Sequence, residues 1–489
     1  MADQVSSDLR FSTLKQRVIR GFFTLTFRRV ALFGITFAVI NLILPRVFPP
    51  ETGIIGILNI GNSILAFFQF FSDVGLAAAL IQKKESVSQQ DLKTTFTVQE
   101  ILAILLTVVM IITAPVISNF YNLGESGIWF IRALAIGFFL TSLKIIPSVL
   151  LERELRFQPL VTVEIVETVL FNTILLVGAF RGFGLYSFSA ATVIRMLFGA
   201  ITLYLITPWK IGFGLDRASI KSLLSFGVPY QTTQFLALIK DRVVPLFVAK
   251  LVGTVGLSYI TWAQAIAFLP LEFVTIMLRL TFPTFSRLQD DKVKVGIAIE
   301  KTLFATALFL YPALAGILAL SPSLVSEVVS EKWKPALPLI YLFSFSTFWA
   351  SISTTFTNAL IALGKVKWTL YLMVMWTVLT WVLTPLLTIK YGFMGVAIAS
   401  AIISFTSIAT IIIFKKFVNV AIFRSITKPV IASIIMGVVL FFVSERLVNS
   451  TITLFLMIPI GAVLYFGLIY LLDRKKVIEE IKGVLSAIR

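Results

Sequence analysis

The chain has 489 residues, of which 58% are hydrophobic and 13% are charged, and it contains no Cys and no His. A soluble globular chain is typically about a quarter charged, so this composition excludes an ordinary soluble domain; the missing residue types exclude disulfides, thiolate metal sites and histidine acid–base chemistry. The net charge of +18 does not indicate a nucleic-acid partner, because Lys and Arg flank apolar segments instead of forming one basic patch or arm. That placement suits anionic membrane lipid better.

About fourteen apolar segments follow one another along the chain, each long enough, at about twenty residues or more, to cross a bilayer as a helix. No gap between them is long enough to fold as a soluble domain. The sequence therefore predicts an all-α polytopic membrane protein. The predicted segments are 24–47, 53–81, 94–118, 127–150, 159–180, 185–208, 222–249, 254–284, 298–320, 336–362, 367–389, 393–414, 429–447 and 452–472.

Basic residues mark alternate gaps between these segments. Lys83 and Lys84 follow the second segment and Arg153 and Arg156 follow the fourth, whereas the opposite gaps, such as LVGT at 251–254, are short and poor in charge. Positively charged loops stay in the cytoplasm. The pattern predicts a multi-pass protein of the cell (inner or plasma) membrane, with both termini cytoplasmic and an uncleaved first segment.

The two halves of the chain resemble each other. TGIIGIL aligns with VGTVGLS, which places Gly56 opposite Gly256, and RGFGLYSFSAAT resembles YGFMGVAIASAI. These matches predict two parallel six-helix lobes, related by a pseudo-twofold axis along the membrane normal, and two appended helices. The alternative is that glycine turns between membrane helices look alike by default. The predicted divisions are a cytoplasmic segment 1–23, an N-lobe 24–210, a C-lobe 211–416, appended helices within 417–473 and a cytoplasmic tail 474–489.

Charged residues inside the apolar segments are the strongest local signal, because each costs several kcal/mol in a bilayer unless it faces a partner or water. At about 1.5 Å of rise per residue, Lys144, Arg279 and Asp73 fall near the cytoplasmic ends, where we expect them to snorkel to the interface. The internal charges are Arg132, Lys144, Arg195, Lys240, Arg242 and Arg279, and Asp73, Glu100, Glu164, Glu167, Asp241 and Glu272.

Glu167 and Arg195 both fall near mid-depth, on consecutive antiparallel segments. We therefore expect them to form an ion pair. Glu164 and Glu167 are three residues apart and share a helix face, so this carboxylate pair is a candidate site for a coupling proton or cation. The alternative is a structural salt bridge that holds the two segments together.

The triplet Lys240-Asp241-Arg242 interrupts an apolar segment, and its residues point about 100° apart, so they cannot all face lipid comfortably. A cavity with several cations attracts a phosphate-bearing substrate; the alternative is local pairing within the triplet and with neighbouring segments. The candidate substrate-binding residues are Arg242, Lys240, Arg195, Arg132 and Arg279, and the candidate coupling or ion-pair residues are Glu167, Glu164, Asp241, Glu272 and Asp73. No catalytic residue, metal ligand or cofactor is expected.

Several stretches are similar to the polysaccharide flippases of the multidrug/oligosaccharidyl-lipid/polysaccharide exporter superfamily. The resemblance covers essentially the whole chain and includes no catalytic signature. The stretches are FSDVGLAAALIQKKE (71–85), LERELRFQPLVTVEIVE (151–167), LSFGVPYQ (224–231), VGTVGLSYITWAQAIAFLP (252–270) and ALIALGKVKW (359–368).

This resemblance implies a V-shaped helical fold with two lobes around a central cationic cavity. It implies a transporter, not an enzyme, which flips a polyprenyl-diphosphate-linked oligosaccharide from the cytoplasmic to the outer leaflet by alternating access, for surface polysaccharide biosynthesis. The lipid-linked oligosaccharide and membrane lipid are the expected partners. Coupling to H⁺ or Na⁺ and association with polysaccharide polymerase machinery stay open.

Three other interpretations compete with this one. A cation-coupled multidrug exporter of the same superfamily usually has twelve spans and an acid-rich first lobe, whereas the deep basic and acidic residues are balanced here. A membrane glycosyltransferase, polymerase or ligase usually needs a sizeable outer loop and an acid–base group, and the short gaps and the absence of His argue against it. A scramblase-like protein without energy coupling stays open.

Overall fold

The structure, a computed structural model, describes residues 32–73, 75–83, 87–154, 156–238 and 243–488. Within these ranges, some residues are described by their backbone alone. The regular elements in these ranges are helices, so the predicted all-α class is confirmed. Within them, 11 helices are long and apolar enough to cross a membrane, or up to 12 if a bent pair counts as one span. The total of fourteen spans and the pseudo-twofold axis stay predictions.

The helices are numbered here in chain order. The first nine are α1 (Leu32–Val47), α2 (Ile54–Asp73), α3 (Leu76–Gln82), α4 (Gln89–Tyr121), α5 (Gly124–Ser142), α6 (Ile145–Arg153), α7 (Phe157–Phe180), α8 (Leu185–Ile206) and α9 (Arg217–Leu238). The next nine are α10 (Val244–Phe268), α11 (Leu271–Arg287), α12 (Lys292–Ser323), α13 (Leu337–Ala362), α14 (Val366–Tyr391), α15 (Phe393–Phe405), α16 (Ile408–Lys415), α17 (Ile422–Leu447) and α18 (Thr451–Ile488). Short turns of 3₁₀ and π helix lie at Pro50–Thr52, Leu324–Val329 and Glu331–Ala336.

The chain forms two compact units, and the first contains the residues up to Val47 and those from Gly61 to Arg242. In this unit α5 packs against α4 and α8, α7 packs against α8, and α9 packs against α3 and α4. Leu80, Phe96 and Ile146 belong to a buried apolar cluster that joins α3, α4 and α6. These contacts define the packed faces of α4, α7 and α8, which carry Glu100, Glu167 and Arg195 respectively.

The beginning of α4 is built as a polar helix cap. Ser88 and Asp91 bond each other's backbone N–H groups in a capping box, and the Lys83 ammonium lies 2.7 Å from the Asp91 carboxylate. α4 has 33 residues, which makes it about 50 Å long, whereas the hydrocarbon core of a bilayer is about 30 Å thick. The capped end can therefore reach water while the later turns remain in lipid.

The second unit contains Phe48–Ile60 and the residues from Val243 onward. α12 packs along α17, α17 packs against α18, and α13 contacts α10, α11, α12 and α15. The carboxylate of Asp291 caps α12 by accepting the N–H groups of Val293 and Lys294, each at 3.1 Å. The Lys294 backbone bond, assisted by the Lys294 side chain, holds the pKa of Asp291 below its usual value.

Two predicted segments are interrupted in the structure, and one predicted gap lies inside a helix. The segment 127–150 is split into α5 and α6, which are bent by 43°. The segment 254–284 is split into α10 and α11 next to Pro270, because proline lacks the N–H group that a continuing helix requires. The predicted gap at 251–254 contains a backbone interruption at Gly253, with φ 70° and ψ 177°. Hydropathy defines the predicted segments, and hydropathy does not detect such breaks.

Candidate functional site

A polar cluster surrounds the break between α5 and α6 in the first unit. Leu143 and Lys144 link the two helices, and the Tyr204 hydroxyl of α8 donates to the Leu143 carbonyl at 2.9 Å. A broken helix in a membrane is tolerated where neighbouring groups satisfy the backbone atoms that the break frees. Tyr204 performs this role and ties the break to α8.

The break places the Lys144 side chain inside the unit. Its ammonium donates to the Glu167 carboxylate of α7 and lies 3.8 Å from the Met196 sulfur of α8. The two charged side chains are only 13% and 19% exposed. They therefore form an ion pair that is largely buried within the protein.

The partner predicted for Glu167 was wrong in one respect. The sequence favoured pairing with Arg195 and snorkelling of Lys144, but the described structure pairs Glu167 with Lys144. The depth calculation treated 127–150 as a straight helix, whereas the bend after α5 redirects Lys144 toward α7. Arg195 is consequently left without this carboxylate as a salt-bridge partner.

The absence of a side chain at Gly199 of α8 leaves room for the Glu167 carboxylate of α7. A Cβ atom at Gly199 would overlap the Glu167 carboxylate. A glycine is needed on α8 at this level because any larger residue would displace the acid. Gly199 is therefore a positioning residue for the Lys144–Glu167 pair.

Arg195 stacks on an aromatic ring and interacts with Glu167 only electrostatically, beyond salt-bridge distance. Its guanidinium carbon lies 4.5 Å from the ring centroid of Phe171, which follows Glu167 by one helical turn and shares its face. In the part of the chain that the structure describes, Arg195 makes no salt bridge and its buried Nε atom has no hydrogen-bond partner. A guanidinium offers five donors in a planar fork, so this one retains donors for an anion.

Glu100 was recognised as an internal charge but was not among the predicted site residues. It lies on α4 and is 5% exposed. Its Oε2 atom accepts from the Ser142 hydroxyl at 3.1 Å, and its buried Oε1 atom has no partner in the described structure. The sequence placed Glu100 about a third of the way into its segment, and this depth was the available signal.

The other predicted site residues are not brought into this cluster by any contact of the described structure. Lys240, Asp241 and Arg242 lie outside the described residues, as do the side chains of Asp73 and Arg279. Arg132 lies 5.2 Å from the ring centroid of Trp129. Glu164 and Glu272 are exposed. Their roles stay predictions.

The second unit contains an apolar cavity of about 480 Å³. Pro312 and Gly316 of α12 and Gly461 and Ala462 of α18 supply small residues along it, and Met436 of α17 contributes to its wall. Such a lining suits hydrocarbon and offers almost no ligands for phosphate or sugar. The charged cluster of the first unit and this cavity therefore differ in chemistry.

A sequence profile described as "Polysaccharide biosynthesis protein" (Polysacc_synt_3) matches residues 43–338, which is more than half of the chain. The chain belongs to this family. The family match confirms the resemblance on which the sequence interpretation rests.

Known relatives agree with this assignment. The chain is 24% identical over 388 residues to the "Teichuronic acid biosynthesis protein TuaB" of Bacillus subtilis (strain 168), covering 77% of this chain and 79% of that protein. It is 22% identical over 461 residues to the "Succinoglycan biosynthesis transport protein ExoT" of Rhizobium meliloti (strain 1021), covering 90% of each.

A solved structure supports the same fold. "Lipid II flippase MurJ, inward closed conformation" matches with a TM-score of 0.72 at 16% identity and covers 92% of this chain and 100% of that one. At this identity the similarity establishes the fold. The chain is thus a multi-pass membrane protein of a polysaccharide biosynthesis family, and it shares the fold of that flippase structure.

Proposed function

We propose that the protein flips a polyprenyl-diphosphate-linked oligosaccharide from the cytoplasmic to the outer leaflet of the cell membrane by alternating access. The observation that carries this proposal is the state of Arg195, which is stacked on Phe171 without a salt bridge among the described residues. Lys144 neutralises the nearest candidate acid, Glu167. The diphosphate of such a lipid is an anion that an arginine binds well through two parallel hydrogen bonds.

The family and its relatives support the substrate class. TuaB is named for teichuronic acid biosynthesis and ExoT for succinoglycan biosynthesis, and ExoT is named as a transport protein. Precursors of such polymers that are built on a lipid in the cytoplasmic leaflet must cross the bilayer before they are assembled outside. A transporter without a soluble domain fits this step better than a glycosyltransferase does.

The apolar cavity of the second unit indicates that the two units have different roles in the proposed transport. The apolar cavity between α12, α17 and α18 has no charged residue in its lining, so it is unsuited to the diphosphate. We assign the head group to the charged interior of the first unit, with Arg132, Lys240 and Arg242 as its other candidate cations; Arg279, a residue of the second unit, stays a separate prediction. The hydrocarbon tail remains in an apolar environment throughout.

Several finer predictions complete the proposal. Both termini are cytoplasmic, the N-lobe spans 24–210 and the C-lobe 211–416, and the partners include polysaccharide polymerase machinery. Transport is driven by H⁺ or Na⁺, with Glu164, Glu167, Asp241, Glu272 and Asp73 as the candidate coupling residues. A reporter fused to either terminus tests the topology, since activity only on the outer side of the membrane would contradict it.

The function is tested in the native host by deleting the gene and complementing it with Arg195→Ala, Arg195→Lys or Arg181→Ala. Arg181 is the matched control, because it lies exposed in the turn after α7. We expect Arg195→Ala to lower surface polysaccharide at least tenfold, about 1.4 kcal/mol, and to accumulate the lipid-linked precursor on the cytoplasmic leaflet. Arg195→Lys should retain part of the activity and Arg181→Ala nearly all of it.

Folding and substrate class are checked in the same strains. Each variant is extracted in detergent and must elute as the wild type does. Unchanged polysaccharide after gene deletion, with new sensitivity to cationic drugs, would instead favour the multidrug exporter. Full activity of a correctly folded Arg195→Ala protein would contradict the proposed role of Arg195.

A further inference from the structure

Glu100 is a buried acid that the proposed binding of an anion does not use. It lies on the α4 face that packs against α5, and one of its oxygens receives a single hydrogen bond, from Ser142. The other oxygen is buried without a hydrogen-bond partner in the described structure. An ionised carboxylate normally accepts several hydrogen bonds, so this environment supplies too few donors for the charged form.

The charged and titratable groups on the neighbouring elements do not compensate for this shortage. On α5, Arg132 stacks near Trp129 and Glu125 is exposed. Lys144 at the α5–α6 break is paired with Glu167. On α8, Tyr204 donates to the Leu143 carbonyl.

The elements on the other side of α4 also have their charges engaged or exposed. Lys83, which follows α3, is paired with Asp91 at the beginning of α4. On α9, Arg217 and Lys221 are exposed. Lys93, two turns before Glu100, lays its methylene groups along the backbone of Gly212 and Gly214. Among the described residues, Glu100 therefore has no cation within salt-bridge distance.

The Ser142 hydroxyl connects Glu100 to the helix break. It has a single hydrogen but lies within hydrogen-bond distance of two acceptors, the Glu100 carboxylate at 3.1 Å and the Phe139 carbonyl at 2.7 Å. An ionised Glu100 draws this hydrogen toward α4. A protonated Glu100 releases it to the last turn of α5, immediately before the bend at Leu143 and Lys144.

We propose that Glu100 is a proton-binding site whose occupancy is transmitted through Ser142 to the α5–α6 break. A proton from water adds to the unpartnered Oε1 atom and leaves as H⁺, and no covalent bond to another residue forms. The break holds Lys144 against Glu167 beside Arg195, so proton binding acts on the elements that present the cationic site. This inference rests on the proposed function for its role in transport, but proton binding itself is independent of it.

Proton binding is tested without transport by infrared difference spectroscopy of the full-length protein in lipid membranes during a pH titration. We expect a titrating C=O stretch of a buried carboxylic acid that is lost in Glu100→Gln and kept in Glu125→Gln. Glu125 is the matched control, because it is an exposed acid in the first turn of α5, the helix that packs against α4. Identical bands in the wild type and the Glu100→Gln protein would overturn the proposal.

Sodium is the competing ligand, and the same spectra distinguish it. They are recorded at fixed pH in sodium chloride and in choline chloride. A band that responds to pH and not to sodium supports the proton site. A response to sodium that Glu100→Gln abolishes, with no response to pH, would overturn it.

Coupling to transport is tested by measuring complementation by Glu100→Gln across external pH. Glutamine imitates the protonated acid in shape and cannot release a proton, so we expect the pH dependence to flatten by several fold while the protein folds. Glu100→Asp, which keeps the acid, should retain a pH response. Wild-type pH dependence in Glu100→Gln would contradict the coupling.

The two proposals fail separately. If the wild type transports no lipid-linked sugar but the Glu100 band titrates, the proposed function is wrong and the proton site stands. If transport requires Arg195 but no Glu100 band appears, the flippase stands and the proton site is wrong.

Discussion

The two units differ in the kind of polar group that they bury. The first unit encloses charged groups, namely Glu100, the Lys144–Glu167 pair and the stacked Arg195. In the described part of the second unit, the buried polar residues are Ser and Thr, without a buried acid, Lys or Arg. Many of these hydroxyls bond back to their own helix; the Thr302 hydroxyl, for example, lies 2.9 Å from the Ala298 carbonyl and the Thr355 hydroxyl 3.0 Å from the Ser351 carbonyl.

This difference separates two physical roles. Hydroxyls that bond to their own helix are satisfied in any rigid-body position of that helix, so these bonds do not depend on how the helices of the second unit are spaced. Charges satisfied between helices depend on the spacing of those helices. The first unit is therefore the region in which binding of an ion or anion can change helix packing.

The largest expected effect comes from breaking the Lys144–Glu167 pair. We expect Lys144→Met, which leaves the Glu167 carboxylate unpaired, to lower the free energy of unfolding by roughly 3–5 kcal/mol, the cost of removing one partner of a buried pair. Thermal unfolding of the purified protein in detergent measures this loss. The double variant Lys144→Met/Glu167→Gln removes both charges and should recover much of the stability.

Two controls sharpen this test. Arg195→Met removes a cation without a described salt-bridge partner, so it should destabilise less than Lys144→Met does. The reversed pair Lys144→Glu/Glu167→Lys should be more stable than either single reversal. Equal stability of the Lys144→Met protein and the wild type would contradict the pairing.

An intermediate effect is expected from close backbone packing in the second unit. The Gly56 N–H donates to the Ser258 hydroxyl at 2.8 Å, and a Cβ atom at Gly56 would overlap the Thr254 carbonyl. Gly56→Ala should therefore cost about 1–3 kcal/mol, as overpacking does. Gly467→Ala is the control, because a Cβ atom added at Gly467 would have no neighbour within 4 Å among the described residues. A melting temperature of Gly467→Ala as low as that of Gly56→Ala would contradict the packing argument.

The smallest effect is expected from removing one hydroxyl of the second unit. The Ser400 hydroxyl lies 3.0 Å from the Ser346 hydroxyl. Hydrogen bonds between membrane helices contribute on average about 0.6 kcal/mol, so Ser400→Ala should lower the melting temperature only slightly. A loss as large as that of Lys144→Met would remove the distinction between the units.

Sequence alone predicted the helical class and the family but not how the charges pair. Hydropathy found the apolar segments because burial in lipid requires a long apolar run. It did not find the bend after α5, which depends on how α8 satisfies the Leu143 carbonyl. Because Lys144 follows this bend, its partner could not be derived from the rise of a straight helix.

The role of Glu100 was hidden for a related reason. Depth along the segment identified it as an internal acid, but the number of its hydrogen-bond donors depends on the packing of α4 against α5. The charges of 240–242, which the sequence emphasised, lie outside the described residues, so their assignment stays a prediction.

The contact between Gly199 and the Glu167 carboxylate also has a consequence for divergence within the family. A side chain at position 199 requires the acid at position 167 to move away, to be shortened or to be lost. The two positions should therefore covary among related proteins. Loss of the acid would leave the lysine at position 144 unpaired, so a substitution of this glycine is expected to be accompanied by changes at position 167 on α7 and position 144 at the α5–α6 break.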